Sequence, residues 1–203
     1  MSRRNRLNEG TPGAGEPGIR ADGWLSGIRH YPSPNRDARP LAGAIDLLVI
    51  HNISLPPGEF GGDAIEALFS NRLDPCGDPF LATLASLRVS SHFLIGRDGH
   101  ITQFVSCLDR AWHAGASEFE GRIACNDFSI GIELEGTDFV AFEPPQYRAL
   151  ASLVGALRAR YALRAVRGHQ HIAAGRKTDP GPHFDWRRLA IEAALPAAML
   201  PAG

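Results

Sequence analysis

Between Gly168 and Pro182 the chain reads GHQHIAAGRKTDPGP, which brings two histidines, a lysine and an aspartate into one short segment. His169 or His171 with Asp179, ten residues after the first of them, could meet one metal ion together with a third ligand from elsewhere. Catalytic zinc takes three nitrogen, oxygen or sulfur ligands and leaves the fourth place to water. Glycine and proline are too frequent here for a helix, so the segment reads as a loop. A solvated connection with incidental charges would have the same composition. The other candidate is His51, which directly follows the apolar run Leu47-Leu48-Val49-Ile50 and precedes Asn52. A strand end holds a functional group rigidly while the loop beyond it admits a substrate. One histidine is not a site, and spacing alone does not join His51 to the distant loop. Of the eight histidines, His30, His100 and His183 lie among polar or turn residues and are expected to face solvent.

The elements that would have to position these groups follow from the apolar pattern. Leu47–Ile50 suits a strand covered on both faces. Leu55-Pro56-Pro57-Gly58 then forces a loop, and Asp63 with Glu66 three residues later predicts a capping box opening a short helix to about Phe69. Ser91–Ile95 and Ile101–Val105 flank Asp98-Gly99, a strong hairpin signal. Phe128–Glu135 alternates as a strand does. Pro144 can occupy a first helical turn, and Tyr147, Leu150, Val154, Leu157 and Tyr161 repeat at helical spacing. Ala165–Gly168 reads as a short strand, followed by a long loop to Asp185 and a last helix bearing Trp186, Leu189 and Ile191. The sum is an α/β (α+β) domain with a single mixed β-sheet and helices packed on it.

Composition excludes several other classes. A chain of 203 residues, 44% hydrophobic and 21% charged, is long enough for one well-buried domain. A net charge of -1 offers no field for nucleic acid or an anionic membrane. No apolar stretch approaches the roughly 20 residues of a membrane span. The opening MSRRNRLNEGTPGAGEPG is basic but has no apolar core behind it, so it does not read as a secretory signal. Residues 1–21 have too few large apolar side chains to offset their ordering entropy and are expected to form a flexible tail, leaving 22–203 as the folded domain. Cys76, Cys107 and Cys125 are too few for a disulfide framework and form no CxxC pair, which fits reduced thiols in the cytoplasm.

Five stretches in order, VIHNISLPPGEFGG, LRVSSHFLIGRDG, RAWHAG, CNDFSIGIELEGTD and GHQHIAAGRKTDPGPHFDW, resemble the AmpD family. That family comprises cytoplasmic 1,6-anhydro-N-acetylmuramoyl-L-alanine amidases within the wider zinc amidase and peptidoglycan-recognition fold. The resemblance spans roughly Gly23 to Arg188. It implies one zinc ion per chain, with His51, His169 and Asp179 as ligands, the motif placing the second ligand immediately after Gly168 and so preferring His169 over His171. It implies Glu133 and Lys177 as the catalytic pair, with Glu135 the local rival to Glu133. Asn52, Arg88, His113 and Arg176 lie in the same motifs and form the expected substrate-binding set; His113 could equally be a wall residue packed beside Trp112, and Arg88 a surface ion-pair partner. Ala174 and Ala124 depart from the usual proline and arginine of the family, and the N-terminal tail is longer than its pattern.

The implied chemistry is hydrolysis of the amide between the lactyl group of 1,6-anhydro-N-acetylmuramic acid and L-alanine, a peptidoglycan-recycling step. Glu133 would act as general base and then acid, and Lys177 would stand by the oxyanion or share the proton transfer. The expected partner is a soluble anhydromuropeptide, with no nucleic acid and no membrane, and the expected state a monomer. Two rivals remain: a broader amidase acting on intact peptidoglycan, and a non-catalytic muropeptide-recognition module.

Overall fold

The structure, a computed structural model, describes residues 18–40 and 44–202. The strands are β1 (Arg29–His30), β2 (Arg36–Ala38), β3 (Leu47–Ile53), β4 (Phe93–Ile95), β5 (Ile101–Gln103), β6 (Asp109–Ala111), β7 (Glu118–Phe119), β8 (Arg122–Ile123), β9 (Ser129–Glu135) and β10 (Ala165–Gly168). The helices are α1 (Ala64–Phe69), α2 (Pro79–Leu84), α3 (Pro144–Arg160), α4 (His169–Ile172) and α5 (Trp186–Glu192). Six strands form one mixed sheet in the order β1-β5-β4-β9-β3-β10, and β2-β6 and β7-β8 form two small antiparallel pairs. β4, β9, β3 and β10 run parallel, and β5 turns back against β4.

Every residue of β9 is buried, as are Leu47 to His51 of β3. Alternation along these two strands divides the core into two sides. Leu48, Ile50, Ile130, Ile132 and Leu134 meet Tyr147, Leu150, Val154 and Leu157 of α3 on one face. Leu47 and Val49 meet Ala114, Phe119, Cys125 and Phe128 on the other. Pro144 begins α3, and Gln146 ties it to the sheet by donating from Nε2 to the carbonyls of Glu135 (2.9 Å) and Ile95 (3.3 Å). The hairpin predicted around Asp98-Gly99 is present, with Gly99 at φ +86°.

Several expectations need correction. Asp63 precedes α1 but its side chain makes no capping bond. His169–Ile172 forms one helical turn where a loop was expected, because Gly175, Pro180 and Gly181 all lie after it. Tyr161 caps α3 rather than continuing it, and α2, capped by the Asp78 carboxylate, was not foreseen. His30 is half-buried, its Nε2 2.8 Å from the carbonyl oxygen of Leu25, while His100 and His183 are exposed. Of the expected tail, 1–17 lies outside the described residues; Ile19 bridges Leu25 and packs on the core. The three cysteines are free, Cys76 exposed and the others buried. No helix among the described residues is long and apolar enough to cross a membrane.

Candidate metal centre and active site

The parallel strands end on one side of the sheet, and that side carries the polar groups. His51 stands near the end of β3, paired in register with Glu133 of β9. Gly168 of β10 is level with Ile50, so His169 emerges beside His51. Gly168 must be glycine for this approach: a Cβ there would lie 2.6 Å from Pro180 Cδ. The segment after α4 then returns Asp179 to the two imidazoles.

Three atoms converge. His51 Nδ1 lies 2.9 Å from Asp179 Oδ2 and 3.1 Å from His169 Nδ1, and His169 Nδ1 lies 3.1 Å from Asp179 Oδ2. These separations approach the ~3.3 Å between donors around a tetrahedral ion with ~2.0–2.1 Å bonds. Nε2 of His169 lies 3.0 Å from the Ala114 carbonyl, which can only accept. A neutral imidazole has one N–H, so His169 Nδ1 presents a lone pair to the carboxylate. An acceptor facing an acceptor across 3.1 Å lacks a cation between them, and the donor set therefore fits a metal ion. His51 is 2% exposed, and burial holds its pKa below the ordinary histidine value, which keeps the ring neutral as ligation requires.

His171 takes no part. Its Nδ1 accepts the Gly168 N–H at 2.8 Å and its ring lies against Trp186. Glu133 is 9% exposed, and its Oε2 is buried with no hydrogen-bond partner. Burial first, then the neighbouring Asp179 charge, pushes its pKa well above the carboxylate range, with Lys177 pulling the other way. Glu135, the rival two residues on, is engaged otherwise: it accepts the backbone N–H groups of Gly61 and Arg97.

A cavity of about 660 Å³ opens beside the triad, with Asn52, Arg176, Lys177 and Asp179 in its wall. Lys177 is exposed there. Asn52 donates to Asp138 Oδ1 at 2.7 Å, fixing the turn that carries Phe139, 86% exposed at the same cavity. Asp138 and Phe139 escaped the sequence reading because nothing in their spacing distinguishes them from any polar turn. Arg176 lines the cavity, but Nη2 of its guanidinium donates to the carbonyls of Ala114 (2.8 Å) and Ala116 (2.5 Å), so it braces the segment that holds His169. Arg88 is exposed and bonds the carbonyls of Ala85 and Leu87 on its own loop, away from the cavity. His113 lies behind His51, its Nδ1 3.0 Å from His51 Nε2 and its Nε2 3.2 Å from Ser129 Oγ.

The sequence pattern of the N-acetylmuramoyl-L-alanine amidase family matches residues 41–182. The chain belongs to that family. It is an amidase of the N-acetylmuramoyl-L-alanine class. It is 56% identical over 170 residues to the 1,6-anhydro-N-acetylmuramyl-L-alanine amidase AmpD of Citrobacter freundii, covering 83% of this chain and 91% of that protein. It is likewise 56% identical over 171 residues to the protein of that name from Escherichia coli K12, covering 83% and 93%. A crystal structure of a selenomethionine derivative of AmpD superposes with a TM-score of 0.82 at 55% identity, covering 84% of this chain and 97% of that one. The amidase matches these relatives along nearly their whole length, and the family match takes in the first four motifs and the fifth as far as Pro182.

Proposed function

We propose that this amidase hydrolyses the bond between the lactyl group of 1,6-anhydro-N-acetylmuramic acid and L-alanine in soluble anhydromuropeptides, in peptidoglycan recycling. One zinc ion would be held by His51, His169 and Asp179. The observation that carries the reading is the convergence of three metal-donor atoms beside the partnerless Glu133 oxygen, in a chain 56% identical to enzymes named for this bond. The zinc, when bound, would lower the pKa of a water from about 15.7 toward about 7 and polarise the scissile carbonyl.

The chain's own residues supply the remaining tasks. Glu133 accepts a proton at its free Oε2 and returns it to the departing alanine nitrogen, as base and then acid. Its raised pKa suits the second half of that exchange, because an ordinary carboxylate gives up its proton too readily to carry it at neutral pH. Lys177 stands in the cavity wall as a cation, stabilising the oxyanion or sharing the proton. Asn52 and the turn it fixes shape the cavity that receives the muropeptide. Arg176, in the cavity wall, braces the Ala114–Ala116 segment, and His113 acts from behind His51; Arg88 is not among the residues that line this cavity.

The test is incubation with anhydro-N-acetylmuramoyl-tripeptide, with products identified by mass before chelation, after it, and after zinc is restored. Free tripeptide that vanishes on chelation and returns with zinc supports the reading. Binding without cleavage by the zinc-loaded protein would make it a recognition module. Faster cleavage of insoluble sacculus would make it a general wall amidase. In the same assay Lys177→Met should cut turnover at least tenfold with zinc content unchanged, a loss of about 1.4 kcal/mol in transition-state stabilisation; full turnover removes Lys177 from the mechanism.

A further inference from the structure

Behind the candidate ligands runs a line of hydrogen bonds that ends on a backbone carbonyl. Ser129 Oγ donates to the Cys125 carbonyl oxygen at 2.6 Å. A carbonyl only accepts, so the single hydroxyl proton of Ser129 is committed there. Toward His113, 3.2 Å away, Ser129 Oγ can then only accept, and His113 Nε2 must carry the hydrogen. A neutral ring set against the imidazoles of His51 and His92, with centroids 5.1 and 5.7 Å away, carries a single hydrogen. With its one hydrogen on Nε2, its Nδ1 is a lone pair, and it lies 3.0 Å from His51 Nε2. His51 must therefore donate from Nε2, which leaves its Nδ1 bare toward Asp179 and His169.

We propose that His113 is a positioning residue that, with Ser129 and the Cys125 carbonyl, fixes the tautomer and orientation of His51. The direction of every bond in the line is set by its far end, where only one arrangement of hydrogens is possible. Two further observations support a built device. Gly131 lies between Ser129 and Glu133 on the same face of β9, and a Cβ there would sit 2.5 Å from His113 Cγ. Only glycine leaves room for the ring. The His113 and His51 rings also meet edge to face, at an interplanar angle of 84°, so the ring of one cannot turn without displacing the other. His169 receives equivalent treatment from the Ala114 carbonyl, itself held by Arg176. Each imidazole thus has its distal N–H anchored by one of two adjacent residues, His51 by His113 and His169 by Ala114, and both are aimed by neutral acceptors rather than by carboxylates.

The proposal rests on the reading that His51 is a metal ligand, and the experiment separates the two. Zinc affinity is measured by competition with a chromogenic chelator for the wild type and for Ser129→Ala, His113→Leu and His113→Asn. Long-range proton–nitrogen spectra of the zinc-free proteins report which His51 nitrogen carries hydrogen, and urea unfolding confirms that each variant is folded. In the wild type His51 should be protonated at Nε2 alone. Ser129→Ala and His113→Leu should weaken zinc binding by about 10–100-fold and bring in the Nδ1–H form of His51. His113→Asn, whose amide oxygen can still accept from His51, should recover most of the affinity. Wild-type affinity in Ser129→Ala and His113→Leu overturns the proposal, as does weaker binding with the His51 tautomer unchanged. Should His113→Leu not fold, the Ser129→Ala and His113→Asn results decide. A wild-type protein that binds no zinc would instead overturn the metal reading itself.

Discussion

Glu133 is placed where it is chemically useful and energetically costly. Its carboxylate is buried, one oxygen has no partner, and burial together with Asp179 raises its pKa. Such a group binds a proton in the folded chain at pH values where the unfolded chain has already released it. Stability therefore falls as pH rises from the ordinary glutamate pKa toward the raised one, and the penalty is complete above the latter. Glu133→Gln should accordingly raise the melting temperature of the zinc-free protein at pH 7 to 8, by about 2–4 °C for each kcal/mol relieved. The gain should vanish near pH 4, where both forms are neutral, and catalysis should be lost throughout. A stability difference independent of pH, measured by thermal unfolding across that range, would show that Glu133 does not titrate in this way.

β9 shows how much of the site an element can encode. Ser129, Gly131 and Glu133 occupy one face, while Ile130, Ile132 and Leu134 pack toward α3. The alternation was legible, and so was the strand. What it could not disclose was that the polar face would be buried as deeply as the apolar one, because the covering residues, His113 among them, arrive from a separate loop. Ser129 was missed for that reason, although a small polar residue two before a glycine and four before a glutamate on one strand face was there to be read. Motif resemblance supplied His51, His169 and Asp179, and the local pattern alone had left His171 open; the Gly168 N–H that occupies His171 Nδ1 is a contact no spacing predicts. Arg88, expected to bind substrate, is exposed, and Nη1 of its guanidinium donates to the carbonyls of Ala85 and Leu87. At this scale the sharpest prediction concerns Gly131→Ala. The added methyl meets the His113 ring and should destabilise the fold by about 1–3 kcal/mol in urea unfolding. It should also weaken zinc binding, whereas alanine at Gly155, in open space on α3, should leave zinc binding unchanged.

Across the whole molecule, the site depends on groups that never reach it. Arg39 sends its guanidinium to the carbonyls of Cys107, Asn126, Asp127 and Ser129. Burial lowers its pKa to about 10, so it stays charged at neutral pH. It joins the segment before β9 to the turn before β6, and Arg39→Met should cost roughly 3 kcal/mol or more on chemical denaturation, since hydrogen bonds to charged groups contribute ~1.5–3 kcal/mol each. Apolar periodicity gives no hint of this cation, which is why the fold's outline was readable and its bracing was not. The position of β10 has a different consequence. It is an edge strand, hydrogen-bonded to β3 alone, yet the segment leaving it supplies His169 and Asp179 to a centre whose third member lies on β3. For that edge to peel away, any ion shared between the strands must first be released, so its detachment becomes a mass-action equilibrium with free metal. At a hundredfold excess over the dissociation constant, bound zinc would add about 2.7 kcal/mol to the opening free energy. Amide hydrogen exchange in Ala165–Gly168 should then slow about a hundredfold with zinc present, while the β4–β5 hairpin at the far side of the sheet keeps its own rate. Equal slowing in both places would mean that the edge opens only when the entire chain does. In the first case zinc concentration would govern not just the amidase's turnover but how long this edge strand stays shut to proteases and to other unpaired strands.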